Sequence, residues 1–146
     1  MADNQSLRPT PDDLKLGEEL RRTIGKFVRS VRRQADTPTT SQSETLGLLD
    51  RQGPLSVADL AFHRKVKHQS MRLVVAQMEA NGLVEKKQNP ADGRSHLLFL
   101  SAKGQRTLAR SRKARQLQIA TLIDERLSDA DRQTLRAAIT VIERLT

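Results

Sequence analysis

Cysteine, tryptophan and tyrosine are all absent, and only three phenylalanines occur among 146 residues. The missing thiols exclude a disulfide framework, a thiolate metal site and a cysteine-based oxidant sensor. The scarcity of aromatic rings disfavours single-strand binding and RNA-recognition sheets, both of which stack bases on aromatic faces. It leaves duplex groove reading by Arg, Gln and Ser open. No apolar run approaches the roughly 20 residues of a membrane span, and no signal-peptide pattern opens the chain, so the expected compartment is the cytoplasm. His63, His68 and His96 are the only imidazoles, and the first two stand around a turn with no cysteine beside them, which is poor zinc spacing. No phosphate-cradling glycine loop, nucleophile elbow or acid pair emerges. The expectation is a protein that is not an enzyme, with no catalytic residues, metal or cofactor.

Positive charge is plentiful. Lys and Arg outnumber Asp and Glu by 26 to 17, a formal net charge of +9. Such a surplus predicts a polyanionic partner, because cationic side chains displace counterions condensed on phosphates. At this length the chain is one domain, or a small core with helical extensions.

The starts of the helices are legible. Thr10 to Asp13, Ser41 to Glu44, Ser56 to Asp59 and Ser128 to Asp131 each pair a hydroxyl with an acid three residues on. The hydroxyl can accept from a free first-turn amide while the acid reaches back to the cap. The first helix is expected from about Pro11 to Ala35, with Leu20, Ile24, Phe27, Val28 and Val31 on one stripe. Thr37 to Thr40 reads as a linker. The second helix follows Ser41 and stops at Gly53-Pro54. A long Arg-rich helix runs from Ser101 to about Arg126, and a last one, with Leu135, Ile139 and Ile142 on one face, starts at Ser128. Three segments follow: an N-terminal helix (1–36), a central module (37–100) and C-terminal helices (101–146), in one continuous fold.

The central module predicts a winged helix-turn-helix. A short apolar helix (Ser56 to about Phe62) precedes a basic turn (Arg64, Lys65, Lys67), and a second helix (about Lys67 to Asn81) ends at Gly82. A hairpin opens at Leu83 and turns through Asn89 to Arg94, with Asp92-Gly93 as the tight turn, Gly tolerating positive φ. In the second helix Met71, Val74, Val75 and Met78 share a buried face. The opposite face presents Gln69, Arg72, Leu73 and Ala76, with Ser70 and Gln77 at its margin. Gln can pair with adenine and Arg with guanine through two hydrogen bonds each. Leu73 has two readings, a contact to a thymine methyl or a single exposed leucine that needs no explanation. Arg106, Arg110, Arg112, Lys113 and Arg115 crowd the long fifth helix and read mainly as a solvated face that adds to the positive field.

The order of elements, together with Leu60-Ala61, Gln69-Ser70-Met71 through Met78-Glu79-Ala80-Asn81-Gly82-Leu83-Val84-Glu85, Asn89-Pro90-Ala91-Asp92-Gly93-Arg94 and Leu100-Ser101-Ala102-Lys103-Gly104, resembles the MarR family of bacterial transcription regulators. The resemblance implies a mainly α fold with a small β-hairpin wing, and long N- and C-terminal dimerisation helices. It implies double-stranded DNA as partner and a homodimer on a near-palindromic operator, most readily as a repressor. Arg94 is then expected in the minor groove, with Asp92 steadying it or the loop. Lys65, Lys67, His68, Gln69, Ser70, Arg72, Leu73, Ala76 and Gln77 complete the expected DNA contacts; Lys86, Lys87 and His96 read equally as phosphate contacts or exposed strand residues. The sequence departs from the family where Lys67 replaces a small capping residue, where Lys65 replaces Gly in the turn, and where Leu73 stands in place of an Arg.

Apolar stripes on the terminal helices make Leu14, Leu20, Ile24, Ile119, Leu122, Ile123, Leu127, Leu135, Ile139 and Ile142 candidates for the dimer interface; closure of an intramolecular bundle is the rival reading. The family likeness also implies a small phenolic or aromatic effector between the dimer helices and the winged module, with Phe27, Val31 and Leu48 as candidate lining residues. The competing functions are a nonspecific architectural DNA-binding protein and a winged-helix module that binds protein.

Overall fold

Helix ends set the architecture. The computed structural model describes residues 8–37 and 39–146; residues 1–7 of the expected N-terminal segment and Pro38 of the expected linker lie outside the described residues. Among the described residues, the elements are α1 (Pro11–Gln34), α2 (Ser41–Gln52), α3 (Val57–Arg64), α4 (His68–Ala80), β1 (Val84–Asn89), β2 (Asp92–Leu100), α5 (Ala102–Arg126) and α6 (Asp129–Glu143). The molecule is mainly helical with one antiparallel hairpin. Reciprocal capping boxes start α1, α3 and α6 at Thr10, Ser56 and Ser128, with Asp13, Asp59 and Asp131 reaching back. Each box satisfies first-turn amides that the helix itself cannot.

The second box is displaced by one residue from the expected Ser41–Glu44 pair. Thr40 is the cap: its hydroxyl accepts from the Ser43 amide at 3.1 Å and the Ser43 hydroxyl accepts from the Thr40 amide at 2.8 Å. Two adjacent hydroxyls compete for the cap, and tertiary contacts decide between them. Arg64 donates to the Ser41 carbonyl at 2.8 Å and to the Thr45 hydroxyl at 2.7 Å, and its other nitrogen engages Glu44. Ser41 and Glu44 are thereby committed to α3.

The core sits inside the winged module. Leu60, Met71, Met78 and Leu98 have no exposed surface. Leu46 and Leu49 from α2, Val75 from α4, Val84 from β1 and Leu108 from α5 join them. Each buried aliphatic side chain of this size contributes about 1.5–3 kcal/mol relative to exposure. The Leu98 amide donates to the Leu55 carbonyl at 2.9 Å, so residue 55 extends the hairpin by one bridge. The hairpin base is locked to α5: the Ser101 hydroxyl donates to the Gly82 carbonyl at 2.5 Å, and the Ser101 amide donates to the Leu83 carbonyl at 3.1 Å.

The wing turns differently from expectation. Asn89 pairs with Asp92 across Pro90-Ala91, and Gly93 lies within β2 without a left-handed φ. The Asn89 side chain accepts from the Ala91 amide at 3.0 Å, an Asx turn closed over a proline whose φ is preset. The glycine is therefore not needed at the reversal. The neighbouring pair is Gln88 with His96, so Gly93, Arg94 and Ser95 stand out of register on β2. Such a bulge bends the strand and re-aims side chains.

The terminal helices are amphipathic but poorly covered. Val31 is the only fully buried residue of α1, and α6 has none. α1 packs against α5, whereas α6 makes no extended contact with another element.

Candidate nucleic-acid interface

The two helices of the reading head are joined by a tight, basic turn. Lys65 ends α3 in the left-handed region (φ 51°, ψ 42°), and its amide donates to the last turn of that helix. Gly is the easy residue for such a cap, which gives the departure at this position its physical content. Lys67 then caps α4 with extended backbone and no side-chain hydrogen bond, and no acid occupies the first turn. The first amides of α4 therefore carry the positive end of the helix without a side-chain acceptor, an arrangement suited to a phosphate oxygen.

One face of α4 is spent on the core and the other is free. Met71, Val75 and Met78 are buried, with Val74 packed against them. His68, Gln69, Ser70, Arg72, Leu73, Ala76 and Gln77 are all exposed, Leu73 to 66%. Gln77 is not wholly free: its side-chain oxygen accepts from Gln42 of α2 at 3.0 Å. An Arg and a Gln on such a face can each make paired hydrogen bonds to a base edge.

Arg94 projects from the bulge on β2 and is exposed. Asp92 acts on its backbone: its carboxylate accepts from the Arg94 amide at 3.0 Å. Gln88 donates to the Gly93 carbonyl at 2.9 Å, and Asn89 donates to the Ser95 hydroxyl at 3.1 Å. The finger is thus held by its own strand partners, and its guanidinium remains available to a narrow, electronegative groove. Lys86 and Lys87 are tethered instead. Lys86 pairs with Glu79 at 3.9 Å, while Lys87 pairs with Glu85 at 3.5 Å and lies 4.9 Å from the Phe99 ring centre. His96 is exposed.

Two residues near this surface escaped sequence reasoning. Arg64, grouped with the basic turn, faces inward and clamps the start of α2. Its partners lie about twenty residues back, beyond any local pattern. Gln42 touches the reading helix across 35 residues of sequence, equally without a local signal. Phe62, in the apolar run of α3, is 81% exposed, its ring edge-on to His63.

Away from the reading head, Leu20, Ile119, Leu122, Ile123, Leu127 and Ile142 are half-buried, while Leu14, Ile24, Leu135 and Ile139 are exposed. A cavity of about 470 Å³ opens between α1, α2, α3 and α5. Leu48 lines it. Phe27 and Val31, expected beside it, do not: Val31 is buried in the seat of α1, and Phe27 is half-exposed outside the cavity wall. The helical stripe that suggested them points to packing, while arginines of the adjoining faces furnish the wall.

Comparison with known proteins agrees with this geometry. The sequence profile of the MarR family matches residues 37–95. An HTH-type transcriptional regulator of Mycobacterium bovis is 30% identical over 128 residues, covering 86% of this chain and 89% of the relative. A solved structure from Pseudomonas aeruginosa, described as a transcriptional regulator, superposes with a TM-score of 0.81 at 26% identity, covering 94% of this chain and 96% of the other. An S. aureus MepR variant bound to an oligodeoxyribonucleotide has the same fold, with a TM-score of 0.62 at 19% identity over 95% of this chain and all of that one.

Proposed function

The chain belongs to the MarR family of DNA-binding transcription regulators, and from that premise we propose that it is a homodimeric repressor that grips a near-palindromic duplex site and releases it when a small molecule binds. The observation that carries this reading is the exposed hydrophilic face of α4 beside a cationic wing. Lys65, Lys67, His68 and Ser70 face the phosphates. Gln69, Arg72, Leu73, Ala76 and Gln77 face base edges in the major groove, and Arg94, held by Asp92, enters the adjacent minor groove. The MepR neighbour was solved with DNA on this same fold, which supports the assignment.

Pairing of two copies supplies what the single chain leaves bare. Stripes on α1 and α6 stay half-covered, and burying them against a second copy removes apolar surface from water at about 25 cal/mol per Å². A two-fold pair sets two α4 helices on consecutive major grooves, roughly 34 Å apart. The effector occupies the cavity between the long helices and the module. It releases DNA only by favouring a spacing of the heads that DNA does not.

Selection from random duplexes, joined to sedimentation of the free protein, tests the whole reading. The expected result is a dimer, one enriched inverted repeat, and an affinity that falls steeply with salt. A steep salt slope with no preferred sequence would replace the regulator with an architectural binder. Absence of both would point to a protein-binding module.

A further inference from the structure

Five arginines converge on one cavity that holds a single carboxylate. Arg32 of α1, Arg51 of α2, Arg64 of α3, and Arg112 and Arg115 of α5 line the space of about 470 Å³, and Glu44 is the sole acid in its wall. Glu44 is already taken by Arg64. Arg112 reaches outside the wall to Asp50 at 2.6 Å. Arg32 donates to the Thr39 hydroxyl, a neutral partner. Among the described residues, Arg32, Arg51 and Arg115 have no carboxylate partner. Burial, and then the like charges of Arg32 and Arg112, hold the Arg115 guanidinium below its ordinary range. Arg stays charged in proteins, so the cluster cannot relieve itself by losing protons. A solvated helix face spreads such charges apart; here four helices aim them into one concavity.

We propose that the cavity binds a compact organic anion carrying two or more negative charges, a multicarboxylate or a phosphate ester. This inference rests on the effector reading above and assigns the chemistry of that same site. Guanidinium forks match carboxylate and phosphate oxygens two bonds at a time. The volume lies within the usual range for small-molecule sites of roughly 300–1,000 Å³. The Ser111 hydroxyl of α5 lies in the same wall and adds an uncharged donor. A bound anion would join α1 and α5, the long helices, to α2 and α3 of the reading module. It would thereby act on the joint that sets where the heads point.

The test uses the full chain at fixed ionic strength in a buffer free of phosphate and sulfate, with citrate, glucose 6-phosphate and neutral phenol as probes. Calorimetric titration and thermal shift are the readouts. Citrate, glucose 6-phosphate or both should bind once per chain and raise Tm, and phenol should not. Arg115→Gln should weaken anion binding at least tenfold; Arg51→Gln, on the shorter helix, gives a second reading should the first variant lose its fold by circular dichroism. Arg94→Ala reports on competition at the DNA face and should leave the anion affinity unchanged. Binding of phenol alone would overturn the anionic chemistry and leave an effector site standing. Anion binding that survives both cavity variants but falls in Arg94→Ala would place the anions on the DNA face and overturn the proposal. No binding by any probe would overturn it together with the effector reading, and DNA selection would still report separately on the regulator itself.

Discussion

Gly104 is the position where helix propensity and packing make opposite forecasts, so a single substitution decides between them. It stands in the first turn of α5, where Ala is favoured over Gly by up to about 1 kcal/mol. A Cβ built there would lie 2.2 Å from the Leu83 carbonyl oxygen, 3.2 Å from its carbon and 3.4 Å from a Leu100 methyl. Carbon and carbonyl oxygen come no closer than about 3.3 Å in favourable contacts, so the hairpin base must retreat by about 1 Å. The same oxygen accepts from the Ser101 amide at 3.1 Å, and a retreat loosens that bond. Overpacking costs about 1–3 kcal/mol and the hydrogen bond about 1 kcal/mol. Against the propensity gain, Gly104→Ala is expected to destabilise by about 1–3 kcal/mol. Urea unfolding, with a slope near 1–3 kcal/mol per M, should show the midpoint falling by about 1 M at equal protein concentration. DNA affinity should fall as well, because the wing is hinged on this joint. A midpoint that holds or rises would refute the packing argument.

Arg94→Ala should weaken DNA binding while leaving thermal unfolding unchanged, since the wing is braced by Asp92, Gln88 and Asn89 rather than by the guanidinium; full affinity in a filter-binding titration at moderate salt would remove Arg94 from the interface. Arg72→Ala should relax base choice at one position of each half-site, at a cost of about 1–3 kcal/mol if the pairing is bidentate, and an unchanged selection profile would deny it that role. The Asp131 carboxyl is held below its ordinary value of 3.8, first by the Ser128 hydroxyl and then by the Ser128 amide. A depressed folded pKa means that its contribution to stability is present above about pH 4 and is lost as pH falls through the folded value. Asp131→Ala should therefore lower Tm at neutral pH, with the gap to the parent protein closing on acidification; a gap that stays constant from pH 7 to pH 2.5 would count against the linkage.

Element order was legible in the sequence because local rules agreed. Hydroxyl–acid caps, a four-position apolar stripe on α4 and Gly82 at its end all act within one or two helical turns. The exposed face of α4 followed from the same periodicity. Where two local rules applied at once, the outcome was set elsewhere: Thr40 took the cap while Arg64, on the next helix, engaged the Ser41 carbonyl and Glu44. The wing shows a different limit. Asp-Gly is a strong turn signal, but Asn-Pro-Ala just before it closes its own turn, and the Asp-Gly-Arg segment became a bulge. The cavity was the least legible part. Its arginines come from four helices, and in the sequence each, taken alone, reads as an ordinary surface charge.

The backbone of Lys65 sets two kinds of selection against each other. A side chain at φ 51° costs roughly 1–2 kcal/mol that Gly would not, yet Gly would delete a cation from the proposed phosphate-facing surface, and with it up to about 0.9 from the salt slope of DNA binding. Asn is the compromise that adopts this conformation readily and keeps a polar side chain, whereas Val, Ile or Thr would suffer the steric conflict and bring no charge. Drift at this hinge should thus trade robustness for grip within a short alphabet.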